Sequence, residues 1–254
     1  MIDFRNPGQE VTSRMQSVDE PSLPPVPQAL FLDAGNTVVF LDHGAVRDVL
    51  SDEGCEVPIE RLRAAEGTAK RQYTAWLREG GSHEDGWFRL VGGMLREAGV
   101  PDARAEPLTR RVREVHDVLN LWRRVPEGLP EALDRVQRRG VRLAIISNSE
   151  GRLPELFEHV GLSGLFEVIV DSAHEGVCKP DPRIFRRALG RLGVAPEQSC
   201  YVGDLPEVDV EGARSVGMHA VLVDPLGFHE GYDRAPRVPS VADLIDRWLE
   251  RRAP

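Results

Sequence analysis

The sequence predicts a doubly wound α/β fold, a parallel sheet with an all-helical unit inserted after its first strand. Three observations predict it. From Pro126 onward, strand-like and helix-like segments alternate, the pattern of a parallel sheet covered on both faces. A short apolar run, Ala29 to Leu32, lies far upstream and has no other strand beside it to pair with, so it belongs to the same sheet. Between the two, Asp42 to Trp122 carries helical periodicity and no convincing strand.

Taken in order, residues 1–27 are polar, lack periodicity and end in Pro21, Pro24, Pro25 and Pro27, which reads as an extended, mobile arm. The first strand follows, closed by Asp33 and the turn Ala34-Gly35-Asn36-Thr37. Helices are expected over His43 to Glu53, Pro58 to Arg78, Trp87 to Ala98 and Leu108 to Leu121. On the second of these, Lys70 with Arg63, Arg71 and Arg78 reads as a solvent face. The alternating region then gives strands at Val141 to Ser147, Phe166 to Val170, Cys200 to Gly203 and Ala220 to Val223. Its helices are Glu127 to Arg139, Leu153 to Val160, Pro182 to Leu192, Val208 to Val216 and Val241 to Arg251, and Leu226 to Pro239 reads as a loop. The expected division is an arm (1–27), an α/β core (28–41 with 123–254) and a helical cap (42–122).

Composition narrows the function. Of 254 residues 41% are hydrophobic and 29% charged, with a net charge of −9, so the basic footprint of a nucleic-acid or anionic-membrane binder is missing. A small-molecule partner is the expectation. Cys55, Cys178 and Cys200 are odd in number and far apart, which argues against a disulfide framework and fits a cytoplasmic setting. No apolar run reaches membrane-spanning length, and Asp3, Arg5 and Glu10 stand where a signal-peptide core would be. A monomer and a cap-mediated homodimer read alike. One bias stands out: of 32 basic residues only Lys70 and Lys179 are lysines.

Four distinctive groups fall at strand ends or helix starts. They are Asp33 after the first strand, Ser147-Asn148-Ser149 after the second, Lys179 before the helix opened by Pro182, and Asp204 with Glu207 and Asp209 after the strand ending at Gly203. In an open α/β sheet the carboxyl edge is where ligands bind. Gathered there, the set suits phosphoryl transfer through an aspartyl-phosphate: Asp33 attacks phosphorus, Ser147 and backbone N–H groups hold the oxygens, and Lys179 offsets their charge. Asp33 and Asp204 become compatible with a cation such as Mg²⁺ between them.

On LFLDAGNTV, AIISNS, CKPDPRIF and YVGDLPEVDVEGARSVGM, spread over Ala29 to Asp224, the chain resembles the haloacid dehalogenase superfamily, in the branch with a helical cap after the first strand. The resemblance implies a Rossmann-like core and Asp33 as nucleophile. It implies that Ser147, Asn148 and Lys179 bind the transferred group, and that Mg²⁺ is held by Asp33, the Gly35 carbonyl and Asp204, with Asp209 as ligand or support. The expected activity is hydrolysis of a small phosphate monoester, a sugar phosphate or nucleotide-like ester.

The sequence departs from the family pattern at Gly35, where most of its phosphatases carry a second aspartate as general acid, and at Asn36, where the family has glycine. General acid help is worth about 10² to 10⁴ in rate, so a phosphatase without it is slowed, not silenced. The alternatives are a 2-haloacid dehalogenase, whose halide leaves without a proton, and a phosphate-binding module without turnover. Phosphonate hydrolysis through a cap lysine would require Lys70 at the site. Asp42 and His43, just past the first motif, are placed to stand in for the acid. Arg78, His83, Trp87, Arg89 and Trp122 are positions from which the cap would face the core.

Overall fold

The computed structural model describes residues 21–79, 83–225 and 227–251. Six parallel strands form the main sheet: β1 (Ala29–Leu32), β4 (Arg142–Ser147), β5 (Val168–Asp171), β6 (Ser199–Gly203), β7 (His219–Val223) and β8 (Arg237–Val238), in the order β5-β4-β1-β6-β7-β8. All four residues of β1 are fully buried, as expected for a central strand with helices on both faces. Its side chains alternate between two cores. Leu30 and Leu32 join Leu143, Ile145, Val202 and Trp248 on one face, while Ala29 and Phe31 join Ile146, Phe185, Tyr201 and Leu222 on the other.

Leu32 is in register with Ile145 of β4 on one side and Val202 of β6 on the other. The first crossover leaves β1 toward β4 and a later one returns to its opposite side, so β1 ends at a topological switch point, where such sheets hold their ligands. The helices covering the sheet are α5 (Leu129–Gln137), α6 (Leu153–His159), the short α7 (Ser172–Glu175), α8 (Pro182–Leu192), α9 (Glu211–Arg214) and α10 (Val241–Glu250).

Between β1 and β4 stand α1 (His43–Asp52), α2 (Ile59–Arg78), α3 (His83–Glu97) and α4 (Asp102–Val118). They share a separate core that includes Val46, Leu62, Met94, Leu95, Leu108 and Val112. The chain enters and leaves this unit through a two-stranded antiparallel ribbon, β2 (Phe40–Leu41) and β3 (Trp122–Arg124).

Four features differ from the sequence expectations. The ribbon strands were not expected; they are too short for an alternating pattern to show. The segment after β6 opens with a π-helical turn at Pro206–Val210 instead of a regular helix, for a reason that lies in the site. β8 occupies part of the expected loop 226–239. The mobile arm falls mostly on residues outside the described ones, and its end packs on the core: Leu23 and Val26 lie against the apolar cluster, and the Trp248 indole donates to the Pro24 carbonyl at 2.8 Å.

Candidate active site

The four sequence segments meet at the carboxyl edge of β1, β4 and β6. Asp33 is buried there, its N–H bonded to the Val202 carbonyl at 2.9 Å. The turn behind it is tight: the N–H groups of Val38 and Val39 both donate to the Ala34 carbonyl, and Asn36 sits at φ 56°. That left-handed conformation is one asparagine tolerates better than most residues.

One oxygen of Asp33 is held from two sides. The Ser147 hydroxyl donates to Oδ1 at 2.9 Å and the Lys179 ammonium at 2.7 Å. Lys179 also donates to Asp209 Oδ1 at 2.7 Å and to the Tyr201 hydroxyl at 2.8 Å, which uses all three of its protons. Tyr201 passes its own proton to the Ile146 carbonyl at 2.9 Å.

Asn148 braces this lysine through the backbone. Its amide donates to the Lys179 carbonyl at 3.0 Å and its oxygen accepts from the Lys179 N–H at 2.7 Å. These two bonds fix the Lys179 backbone beside the side chain expected among the phosphate ligands.

Asp209 Oδ2 accepts the Leu205 N–H at 3.0 Å, and the π-helical turn brings these two groups together. The same closeness requires Gly203, where a Cβ would lie 2.4 Å from the Asp209 carboxyl carbon.

Charge in the cluster is not balanced by Lys179 alone. Asp33, Asp204 and Asp209 present oxygens within 4.8 Å of one another. Burial pushes the Asp33 carboxyl up to about 6 even though Lys179 pulls the other way. Burial likewise holds Asp204 above the usual carboxylate range against the pull of Lys70. Lys179 is raised, its burial outweighed by Asp209 and Asp33. Converging buried carboxylates with residual negative charge fit a hard, oxygen-preferring cation.

A cavity of about 430 Å³ opens from this cluster between the sheet edge and the helical unit, bounded among others by Asn36, His43, Lys70 and Asp204.

A family model described as haloacid dehalogenase-like hydrolase matches residues 27–217. The chain belongs to the haloacid dehalogenase-like hydrolases. Among the relatives of this hydrolase, haloacid dehalogenase-like hydrolase domain-containing protein 3 of Bos taurus is 37% identical over 165 residues, which is 63% of this chain and 65% of that protein. A phosphoserine phosphatase of Thermus thermophilus is 42% identical over 140 residues, 54% of this chain and 53% of that protein. This chain thus spans about two thirds and half of the length of these two relatives. In fold it is similar to the HAD-hydrolase YfnB of Bacillus subtilis, a structure bound to magnesium, with a TM-score of 0.65 over 88% of this chain and 99% of that one at 17% identity.

Lys70 is where the structure corrects the sequence reading. Its ammonium does not face solvent; it crosses from α2 and forms an ion pair with Asp204. Both lysines of the chain are therefore in this hydrolase's site, and the arginine bias noted in the sequence was the signal that could have found the second one. Asn36, with its amide oriented to satisfy its neighbours, donates to Glu66 at 3.1 Å and accepts from Lys70 at 3.3 Å. His43 Nε2 lies 2.9 Å from the other Glu66 oxygen.

Asp42 is committed elsewhere: it caps α1 through the Ala45 N–H at 3.0 Å and pairs with Arg123 at 3.0 Å. Of the other expected cleft residues, the side chains of Arg78 and His83 lie outside the described residues. Trp87 packs beneath Arg113 and against His116, and Arg89 lies over Trp76. Trp122 does reach the site, its ring 3.7 Å from where a Cβ on Gly35 would stand.

Proposed function

We propose that this hydrolase is a Mg²⁺-dependent phosphatase of a small phosphate monoester, working through an aspartyl-phosphate on Asp33. The observation that carries the reading is the fixed carboxylate: Asp33, oriented by Ser147 and Lys179, stands at the switch point of the sheet beside two further buried aspartates. The phosphatase named among its relatives supports the same chemistry.

A carboxylate oxygen of Asp33 bonds to phosphorus as the bond from phosphorus to the ester oxygen breaks. The alkoxide takes a proton from solvent water, and a water molecule then attacks phosphorus, gives its proton back to solvent, releases phosphate and restores the carboxylate. Ser147 and Lys179 are held beside Asp33 by their bonds to its carboxylate, and as that carboxylate is consumed in the attack their protons turn to the charge on the transferring group. Asp33, the Gly35 carbonyl and Asp204 would hold Mg²⁺, with Asp209 in support; a bound divalent ion supplies Lewis-acid stabilisation of phosphoryl oxygens. Gly35 supplies no proton, so turnover favours esters with good leaving groups.

In this reading 42–122 is a cap that closes over the core and 28–41 with 123–254 is the catalytic body. The three free cysteines fit a cytoplasmic enzyme, and either a monomer or a homodimer satisfies the site. The acidic cluster counts against a halo-acid substrate, whose carboxylate it would repel. It counts equally against a binding role, which has no use for a nucleophile fixed from two sides. Lys70 at the site favours one second reading, phosphonate hydrolysis through an imine on its amine; borohydride trapping of a carbonyl phosphonate on Lys70 would reveal it.

The decisive assay is hydrolysis of a generic aryl phosphate with and without Mg²⁺. Release that requires the ion and disappears in Asp33→Asn is expected; activity surviving in Asp33→Asn would remove Asp33 as the nucleophile.

A further inference from the structure

The cavity beside Asp204 has a charge pattern that transfer of a phosphoryl group does not explain. Three arginines line its exposed rim, Arg63 and Arg71 on α2 and Arg124 on β3. Among the described residues none of the three pairs with a carboxylate, although this chain has more acidic than basic residues. The acids that share the wall are already engaged. Asp204 pairs with Lys70, and Glu66 lies against His43 and Asn36. Asp224 accepts the N–H groups of Phe228 and His229 at 2.8 and 2.9 Å and faces Arg237 at 3.3 Å.

Two of the guanidiniums are also pre-arranged. Arg71 lies over the Phe228 ring at 4.9 Å and Arg124 over Phe40 at 5.3 Å. Arg71 spends one N–H on the Thr68 hydroxyl at 2.9 Å; stacking restrains each planar group while leaving its other N–H groups for an anion, which arginine grips with two hydrogen bonds. About 430 Å³ is room for a small organic group.

We infer that this cavity is a second anion subsite: the leaving group of the substrate carries a carboxylate or a second phosphate, which Arg63, Arg71 and Arg124 bind while the ester phosphate lies at Asp33. The inference rests on the phosphatase reading and narrows it from phosphate monoesters in general to those of anionic alcohols. A neutral sugar phosphate would leave the three cations unmatched.

The test compares kcat/KM for three esters of matched size: a phosphorylated hydroxy acid, the corresponding bisphosphate and a neutral glycol phosphate. At least one anion-bearing ester should be preferred to the neutral one by about tenfold or more, the scale of a charge-assisted hydrogen bond. Arg63→Gln, Arg71→Gln and Arg124→Gln should each lower that preference several-fold, mainly through KM. Arg139→Gln, an exposed change on the far side of the core, controls for net charge. A preference confined to one arm names the anion. Equal kcat/KM for all three esters, or a preference unmoved by the arginine changes, overturns the subsite.

Absence of Asp33-dependent turnover with every ester, the aryl phosphate included, is a different result and removes the phosphatase reading. Calorimetric titration with the phosphorylated hydroxy acid then decides the subsite: heat lost in the arginine variants upholds it, and identical isotherms reject it.

Discussion

Lys70, on a helix of the unit inserted after β1, forms an ion pair with Asp204, just past the end of a sheet strand. The pair spans the cleft in which the chemistry is proposed and places a cation on a carboxylate that would also hold Mg²⁺. Two cations on one carboxylate oppose each other. Lys70→Met should therefore tighten Mg²⁺ binding by about threefold to tenfold, the scale of a part-buried ion pair, as read by calorimetric titration without substrate. The same change should lower kcat/KM for phosphate esters, because the cap side of the site loses its charge. Unchanged or weaker Mg²⁺ binding in Lys70→Met would show that the lysine and the ion do not compete.

Gly203 is a tight steric requirement of the carboxylate cluster. A Cβ there would fall 2.4 Å from the Asp209 carboxyl carbon, and Asp209 is a buried anchor for Lys179 and for the Leu205 N–H. Gly203→Ala should cost about 1–3 kcal/mol in urea unfolding, as overpacking does. It should also lower kcat well beyond what the lost stability explains, because Lys179 moves with Asp209. Activity and stability close to the parent would mean that the turn relaxes without disturbing the lysine.

The sheet and most of the site could be read from the chain because each depends on a local pattern. Ala29 to Leu32 is apolar without interruption, as a strand buried on both faces must be; Asp33, Ser147 and Asp204 each sit where such a segment ends, and Lys179 stands just before the helix opened by Pro182. What escaped the reading depends on contacts between distant segments. Lys70 lies on a helix whose own pattern makes it a surface position, and only the approach of the core buries it. The bonds of Asn148 to both backbone groups of Lys179 join residues 31 apart in the chain, which no local pattern shows. The π-helical turn follows from the demand that Asp209 reach Leu205 and Lys179 together, which no periodicity records.

Gly35 has room for the acid that the family pattern places there. A Cβ would make ordinary contact with the Trp122 ring at 3.7 Å, and the backbone is not left-handed at this position. Gly35→Asp is expected to fold, with a loss of about 0.5–3 kcal/mol in the absence of Mg²⁺ because the new carboxylate joins an acidic cluster. It should raise kcat for alkyl phosphates by up to about 10², with little effect on aryl phosphates, whose leaving groups need no proton. An equal gain on both would point to a role of the new carboxylate other than proton donation.

The second link between cap and core is Glu150, just beyond β4, which faces α4. Arg113 donates to one oxygen at 2.6 Å and His116 Nε2 lies 3.2 Å from the other, while His116 Nδ1 accepts the Leu121 N–H. That last bond puts the imidazole proton on Nε2, so His116 donates to Glu150. Hydrogen bonding from His116, and to a lesser degree the hydrogen bond and charge of Arg113, hold the carboxyl at about 2 from an ordinary 4.5, against the burial that raises it. A carboxyl depressed by folding stabilises fully above its unfolded value and loses that contribution as pH falls through the folded one. The difference in Tm between the parent and Glu150→Gln should thus be largest above about pH 5 and shrink between about pH 4.5 and 2. Titration of groups that do not touch Glu150 is common to both proteins and cancels in the difference. A Tm difference that stays constant from pH 7 to pH 3 would mean that Glu150 contributes shape rather than charge to the cap–core contact.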